Sequence, residues 1–155
     1  MFGGLNKFLR DIQKIKAEQL AFNIYKTKEH EFLVVSLITE GQPTSQLKKG
    51  IGADGDIIGV YSIATESLSG GKKKAGSPYS LKDTGFYYKS GEVVAFLGGF
   101  TTVFDSEKEE GDFLEILDLD EENVEALTDG NLQIVIDQFK EFLPDELRKF
   151  IDSIR

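Results

Sequence analysis

The 155-residue sequence contains no cysteine and no tryptophan, and its only histidine is His30. Without cysteine there is no disulfide framework, no thiolate ligand for a metal and no cysteine nucleophile. A single histidine also argues against a multi-histidine metal site and against a histidine-dependent catalytic triad. The fold must therefore be held together by packing, for which the 40% hydrophobic content is ample.

Long apolar runs are absent as well. No run approaches the roughly 20 residues that a membrane-spanning helix needs. The first residues, Met-Phe-Gly-Gly-Leu-Asn-Lys, lack the basic and apolar regions of a secretory signal. These absences favour a soluble protein, made in a cytoplasm, that has no membrane partner.

Proline is scarce, with 3 residues against 16 glycines, so loops are expected to be flexible more often than stiff. The chain length suits one domain with one core. We therefore expect residues 1–155 to form a single structural domain, with a flexible basic loop at about residues 70–77.

The net charge of −9 is divided unevenly along the chain. Residues 1–103 hold 13 lysines and arginines against 10 acidic residues, a net of +3, whereas residues 104–155 hold 5 against 17, a net of −12. An acidic face that keeps the protein soluble is the simpler interpretation. The alternative is complementarity between copies, in which a basic loop on one copy meets an acidic face on the next.

Two segments have the spacing of amphipathic helices. Near the N-terminus, apolar residues recur every three or four positions and predict a helix to about Ile24, with the members Leu5, Phe8, Leu9, Ile12, Ile15 and Leu20. Near the C-terminus, a second stripe predicts a helix followed by a further helix that begins at Pro144; the stripe comprises Leu132, Val135, Ile136, Phe139, Phe142 and Leu143. A stripe this regular is expected to face the core.

The clearest β element is a hairpin. Residues 92–97 and 100–104 are rich in β-branched and aromatic side chains and flank Gly98 and Gly99, which predicts a two-residue turn at these glycines. Residues 31–39 are short and apolar, which fits either a buried strand or a continued helix. Their β-branched residues favour the strand.

The remaining segments are predicted to form loops and one short helix. Residues 41–45 predict a turn and residues 46–59 a loop, in which Asp54 and Asp56 lack the other ligands of a calcium-binding loop. Residues 105–112 predict an acidic loop. Asp120 is placed to cap a short helix that reaches about Leu127 and is ended by residues 128–130.

Residues 59–90 contain the most informative arrangement. A short periodic segment, 61–68, precedes a glycine- and lysine-rich tract that is too polar to enter a core. Order is expected to resume at Pro78, and the triplet 83–85 predicts a turn. A mobile basic loop between ordered anchors suits contact with another molecule, so we expect an interaction surface made of Lys72, Lys73, Lys74, Tyr79, Asp83, Thr84 and Gly85. Its acidic counter-surface on a second copy is expected at Glu107, Glu109 and Glu110.

The same stretch carries a family resemblance, through the ordered residues Tyr61, Thr65, one of Lys72 to Lys74, Leu81, Thr84, Gly85, Phe86 and Ser90. This order resembles the aromatic-x-x-x-Thr … Lys … Leu-x-x-Thr-Gly-x-Leu-x-x-Ser pattern of tailed-phage virion morphogenesis proteins, the tail-completion, minor tail and neck proteins. The flanks are similar to a version common in phages of Bacteroidetes, through Gln46, Leu47, Gly50 and Ile51 before the pattern and Ile116, Leu117, Leu119, Glu122 and Asn123 after it. The aromatic run at 86–88 and Gly91 depart from the usual pattern.

Two other classes of function have weaker support. Asp83 in Asp-Thr-Gly matches the aspartic-protease triplet, but a lysine precedes it and aromatics follow it where that fold needs apolar strands. A nucleic-acid binder could use the lysines with Tyr79, Tyr87 and Tyr88, although the acidic C-terminal third would oppose phosphate. We expect no enzyme activity and no cofactor.

The sequence as a whole therefore predicts an α+β protein, an antiparallel β-sheet with N- and C-terminal helices packed on one face. The resemblance implies a structural virion protein that joins head and tail through ring assembly. Its expected partners are copies of itself and other phage neck, portal or tail proteins.

Overall fold

The computed structural model describes Lys7, residues 17–108 and residues 111–153. Within these residues it has eight helices of four or more residues and two antiparallel pairs of β-strands. The helices are α1 Ala17–Tyr25, α2 Lys28–Ile38, α3 Gln46–Lys49, α4 Ile63–Leu68, α5 Phe86–Lys89, α6 Phe113–Ile116, α7 Glu121–Glu125 and α8 Asp129–Ser153. The strands are β1 Glu92–Phe96, β2 Gly99–Val103, β3 Glu107–Lys108 and β4 Gly111–Asp112.

The N-terminal helix that the sequence predicts is present from Ala17 to Tyr25, and most of its predicted length lies outside the described residues. Leu20 and Ile24 are buried on the face that packs against α8 and the first hairpin. Because the C-terminal helix α8 and α1 lie together with the sheet, the α+β class is confirmed.

Residues 31–38 belong to helix α2 and Thr39 is its C-cap, so the strand favoured by the sequence is wrong. The Thr27 side chain caps α2 by accepting a hydrogen bond from the His30 amide at 3.2 Å. Val34, Leu37 and Ile38 are fully buried, and this i, i+3, i+4 spacing is the spacing of one helix face. The β-branched residues cost a few tenths of a kcal/mol each in helix propensity, which core burial outweighs.

The predicted hairpin is confirmed, but its turn is shifted by one residue. Strands β1 and β2 pair antiparallel from Glu92 opposite Val103 to Phe96 opposite Gly99, so the turn residues are Leu97 and Gly98. Gly98 has φ of 100°, a conformation that glycine adopts without steric cost. The inner face packs on α1 and α2 while the outer face stays exposed.

The region after the first hairpin is more ordered than the sequence predicts. Residues 105–112 were expected to be an acidic loop, yet β3 and β4 form a second, very short antiparallel pair. Asp120 caps α7 as expected, since its carboxylate accepts a hydrogen bond from the Glu122 amide at 3.2 Å. That helix ends at Glu125, earlier than predicted.

The C-terminal helix runs without a break from Asp129 to Ser153, so the predicted new start at Pro144 is wrong. Thr128 opens the helix by accepting a hydrogen bond from the Asn131 amide, whereas the sequence placed a helix end there. Pro144 is on the exposed side of the helix, and because proline has no amide hydrogen the Lys140 carbonyl lacks its usual helical hydrogen bond. Of the predicted stripe, Val135 is buried but Leu132 and Ile136 are exposed.

The core combines apolar packing with a buried polar network. Its apolar part gathers side chains from α2, α3, α5, the end of β2 and the C-terminal helices, namely Val34, Leu37, Ile38, Leu47, Leu81, Tyr87, Tyr88, Phe104, Leu114, Val124 and Val135. None of the helices in the described ranges has both the length and the apolar content needed to cross a membrane.

Candidate functional site

A pair of tyrosines anchors the region that the sequence singles out. The rings of Tyr61 and Tyr79 meet edge to face with centroids 4.8 Å apart. The Tyr61 hydroxyl accepts a hydrogen bond from the Ser80 amide at 3.2 Å. The backbone of Gly59 passes against Tyr79 so closely that a Cβ there would lie 2.4 Å from the ring. The ordered anchor after the lysine tract is therefore a packed unit.

Gly50 allows this unit to pack closely against α3. It ends α3 in the left-handed conformation with φ of 69°, and a Cβ would lie 2.4 Å from the Cβ of Pro78 and 2.7 Å from the Tyr79 carbonyl oxygen. The backbone of residues 78–79 can approach α3 only because position 50 has no side chain.

We expect Gly50→Ala to lower the free energy of unfolding by about 3 kcal/mol, from overpacking plus backbone strain. Gly55→Ala is the matched control, since Gly55 has φ of 86° but no atom within 4 Å of its would-be Cβ. That control should lose only about 1 kcal/mol, from strain alone. Urea denaturation of both variants measures the difference. Equal losses of stability would show that the close contact between position 50 and residues 78–79 does not affect the free energy of unfolding.

The lysine tract has more intramolecular contacts than its composition predicts. Its backbone is bonded to the preceding segment at its centre and toward its C-terminal end: the Lys73 amide donates to Ser69 Oγ at 3.0 Å, the Ala75 amide to Glu66 Oε2 at 2.9 Å and the Gly76 amide to the Tyr61 carbonyl at 2.9 Å. The glycine- and lysine-rich composition did not indicate these contacts. Its mobility stays a prediction.

The three lysines are not equivalent. Lys73 points inward, with its ammonium 3.7 Å from an Asp83 carboxylate oxygen and 5.6 Å from the centroid of the Tyr61 ring. Lys72 and Lys74 are exposed. Lys73 therefore joins the tract to the 83–85 turn, and Lys72 and Lys74 are the two that face solvent.

The turn predicted at residues 83–85 positions the next helix. Thr84 Oγ1 accepts a hydrogen bond from the Phe86 amide at 3.3 Å, and Gly85 starts α5 with φ of 81°. Asp83 is more than half exposed and lies beside the Lys73 ammonium. This setting is a solvated ion pair at a turn and differs from the paired, buried carboxylates of an aspartic protease.

Both flanks of the pattern meet in space through polar contacts that sequence reasoning missed. The Gln46 side chain donates to the Ala126 carbonyl and accepts from the Thr128 amide, both at 2.9 Å. Asn131 Nδ2 donates to Gln46 Oε1 at 3.0 Å. The sequence gives no local signal for these contacts, because the partners of Gln46 lie about 80 positions away.

A second long-range contact joins Asn123 of the downstream flank to the loop at residues 52–56, which directly follows the upstream flank. Asn123 Oδ1 accepts from the Asp54 amide at 3.0 Å, and Asn123 Nδ2 donates to Asp54 Oδ2 at 3.1 Å. Asp54 Oδ1 also accepts from the Asp56 amide. The Asp54 carboxylate is thus used in turn formation, and the described part of the chain has no group of three His, Cys, Asp or Glu side chains placed to hold a metal ion.

Of the three residues predicted to form the acidic counter-surface, only Glu107 lies within the described residues. Glu107 is on β3 and lines a narrow crevice with Asp83, Thr84 and Asp105 of the same copy. Glu109 and Glu110 lie outside the described residues. Glu107 and the 83–85 turn therefore neighbour each other within one molecule, so they do not belong to two well-separated faces.

The aromatic part of a nucleic-acid surface does not form. Tyr87 and Tyr88 are buried, and their hydroxyls donate to Glu125 Oε1 and to the Ser80 carbonyl. Tyr79 is packed against Tyr61. None of these three rings stands free beside Lys72 and Lys74 as a platform on which a base could stack.

Glu125 is a buried carboxylate in an acidic cleft. The cleft has a volume of about 430 Å³ and is lined by Thr101, Thr102, Glu121, Glu122, Glu125 and Ala126. Burial raises the pKa of Glu125 to about 7, and the charge of Glu121 adds to the rise, although the Tyr87 hydroxyl opposes it. The sequence did not single out Glu125, because the contact that buries it comes from Tyr87, 38 positions earlier in the chain.

His30 is the other buried titratable group that the sequence did not identify. Its imidazole is fully buried against Tyr25 and Phe100, with ring centroids 5.1 and 4.8 Å away, and neither nitrogen has a hydrogen-bond partner among the described residues. Burial lowers the pKa of His30 to about 4. The Gln138 amide lies close enough to oppose this shift weakly, although no contact between the two side chains has hydrogen-bond geometry.

Comparisons with known proteins found no matching family model, no similar curated protein and no similar solved structure.

Proposed function

We propose that this chain is a structural subunit of a tailed-phage particle, a neck or tail-completion protein that assembles with copies of itself into a ring between head and tail. The observation that carries the proposal is the order of pattern residues from Tyr61 to Ser90. Several of them have distinct places in one compact unit, so the pattern corresponds to a structural module.

The contacts within this module support the proposal. The Tyr61 ring packs against Tyr79 and lies 5.6 Å from the Lys73 ammonium, and Leu81 is buried. Thr84 Oγ1 accepts a hydrogen bond from the Phe86 amide, and Ser90 Oγ accepts one from the Asp105 amide at 2.9 Å. Asn123 of the downstream flank bonds to Asp54, in the 52–56 loop that directly follows the upstream flank. A pattern whose members hold a fold together fits a structural protein better than a catalyst.

The exposed apolar side chains also support a role in assembly. Large apolar residues stand in solvent on α4 and on the outer face of the first hairpin, including Ile63, Leu68 and Phe96. The hairpin residues share one face, and a contiguous exposed apolar surface is typical of interaction sites. Because the C-terminal third is acidic and the lysine tract is basic, opposite charges on two copies would orient such a contact.

Mass spectrometry of purified particles of the phage that encodes this chain tests the proposal directly. The chain should be present in several copies per particle, and cryo-EM should place it between head and tail. Its absence from complete particles would overturn the proposed role.

A charge reversal tests the direction of assembly. We expect Lys72→Glu with Lys74→Glu to slow assembly of the purified protein about tenfold in low salt, since exposed charges act mainly on encounter rates. Lys73 is left intact because it pairs with Asp83. The matched control is Lys49→Glu with Lys89→Glu, which changes the net charge equally at two other exposed lysines.

Light scattering after dilution from high salt measures the rate, and added Glu121→Lys with Glu122→Lys should restore part of it, because these two exposed acids line a cleft that has no lysine or arginine among its described lining residues. Assembly of the Lys72/Lys74 variant at the wild-type rate would show that the tract does not face acids of a second copy. Binding of single-stranded nucleic acid that falls steeply with salt would instead favour the alternative function.

A further inference from the structure

The outer face of the first hairpin is an apolar surface without a partner in the described chain. Val94, Phe96 and Val103 share this face by strand alternation, and Leu97 extends it at the turn. Each of the four is close to half exposed or more, while the opposite face of the same strands packs on α1 and α2.

This apolar face has an acidic border. Thr101 stands opposite Val94 on the outer face and also lines the cleft that contains Glu121 and Glu122. No lysine or arginine lines that cleft within the described residues. The hairpin therefore presents apolar side chains next to uncompensated negative charge.

Helix α4 presents the complementary combination. Ile63 and Leu68 are 81% and 90% exposed, and no residue of this helix is buried. The exposed Lys72 and Lys74 follow within six positions of Leu68. Leu68, at the C-terminal end of α4, is the apolar side chain next to this positive charge, whereas Ile63, five positions earlier, points about 140° away from it around the helix axis.

We propose that the outer face of the β1–β2 hairpin of one copy docks on α4 and the lysine tract of the next copy. The two surfaces are complementary in two ways. Their apolar side chains can pack together, and the acidic border of the hairpin can face the lysine tract. Because they are different surfaces of one chain, the contact is heterologous and repeats head to tail, which closes a ring or extends a filament. This inference rests on the proposed self-assembly and names its interface.

An interface of stable size needs both the apolar part and the charged part of each surface. A stable interface buries roughly 800 Å² on each partner, more than four half-exposed side chains provide. The cleft border and the lysine tract supply the additional area and set the register. The apolar centre supplies the affinity, since exposed ion pairs contribute little on their own.

Two variants that each disable one surface test this geometry. Phe96→Asp disables the hairpin and Leu68→Asp disables α4; each alone should be monomeric by analytical ultracentrifugation where the wild type assembles. An equimolar mixture should form heterodimers only, because the intact hairpin of one variant meets the intact α4 of the other. Both introduced charges are acidic, so the remaining pair of surfaces cannot associate. Phe32→Asp, at a 71% exposed position on α2, is the control and should assemble as wild type does.

Each other outcome contradicts a stated part of the proposal. If Leu68→Asp alone still dimerises, the hairpins meet each other and the contact is not heterologous. If both variants assemble normally, the interface lies elsewhere although the proposed function stands. A wild-type chain that stays monomeric at every concentration and is missing from particles would overturn both. Circular dichroism of the variants checks that the monomers remain folded.

Discussion

Gln46→Met is expected to lower the free energy of unfolding by about 4 kcal/mol, because three polar groups of other residues depend on this one buried side chain. Methionine is an unbranched side chain of similar size that can fill the same space in the core, but it cannot form the hydrogen bonds of glutamine. The Thr128 amide and the Ala126 carbonyl would lose their partners, and Asn131 Nδ2 would lose one acceptor. Each buried polar group left unsatisfied costs about 1–3 kcal/mol.

Urea denaturation measures this loss, and Gln133→Met on α8 is the matched control. Gln133 is exposed and bonds to the exposed Asp137, so its replacement should change stability by less than about 0.5 kcal/mol. Asn131→Ala in the Gln46→Met background should add less than it does alone, since the two residues share a bond. A loss below about 1 kcal/mol for Gln46→Met would mean that the buried network does not hold α3 to the C-terminal helices.

The second large effect is a pair of opposing pH dependences. His30 has a folded pKa of about 4 against 6.5 for the free side chain, so the unfolded chain binds its proton first. Stability from His30 is present above pH 6.5 and is lost as the pH falls toward 4. Glu125 has a folded pKa of about 7 against 4.5, so the folded chain binds its proton first. Stability from Glu125 is present below pH 4.5 and is lost as the pH rises through 7.

These two contributions nearly cancel between pH 4.5 and 6.5 in the wild type, and single substitutions should separate them. In Glu125→Gln only the His30 contribution remains, so stability should fall by on the order of 3 kcal/mol from about pH 6.5 to 4. In His30→Leu only the Glu125 contribution remains, so stability should rise as the pH falls from about 7 to 4.5. Carboxylates that do not interact with Glu125 or His30 contribute equally to all three proteins and cancel in the differences.

Urea denaturation across this pH range in small steps gives these differences directly. Glu122→Gln removes an exposed carboxylate from the same helix as Glu125 and is the control for loss of charge alone. Parallel pH profiles for wild type, Glu125→Gln and His30→Leu would contradict the assignment of both groups as buried and shifted. A change in the profile of one variant alone would support the shift of that group and contradict the shift of the other.

Features that depend on a few adjacent residues were predictable from the sequence. Asp120 caps α7 because its short carboxylate reaches the amide two positions on, whatever the rest of the chain does. The first hairpin follows from strand alternation around glycine, and the 83–85 turn from Thr84 and Gly85. The α+β class follows from these local elements together with the amphipathic helices.

Tertiary contacts determined the secondary structure of segments whose local sequence preference is weak or ambiguous. Residues 31–39 have strand-forming side chains, but burial of Val34, Leu37 and Ile38 on one face makes them a helix. Pro144 continues α8 because it lies on the exposed side of a helix already held by packing on α1.

The candidate sites likewise depend on partners that are distant in sequence. Lys73 faces inward only because Asp83 and Tyr61 meet it there, and Glu125 is buried only because Tyr87 and β2 cover α7. The sequence alone determined which residues are charged, apolar or able to turn the chain. Which of them are buried or face solvent depends on contacts between segments up to about 80 residues apart, and local propensity carries no information about such contacts.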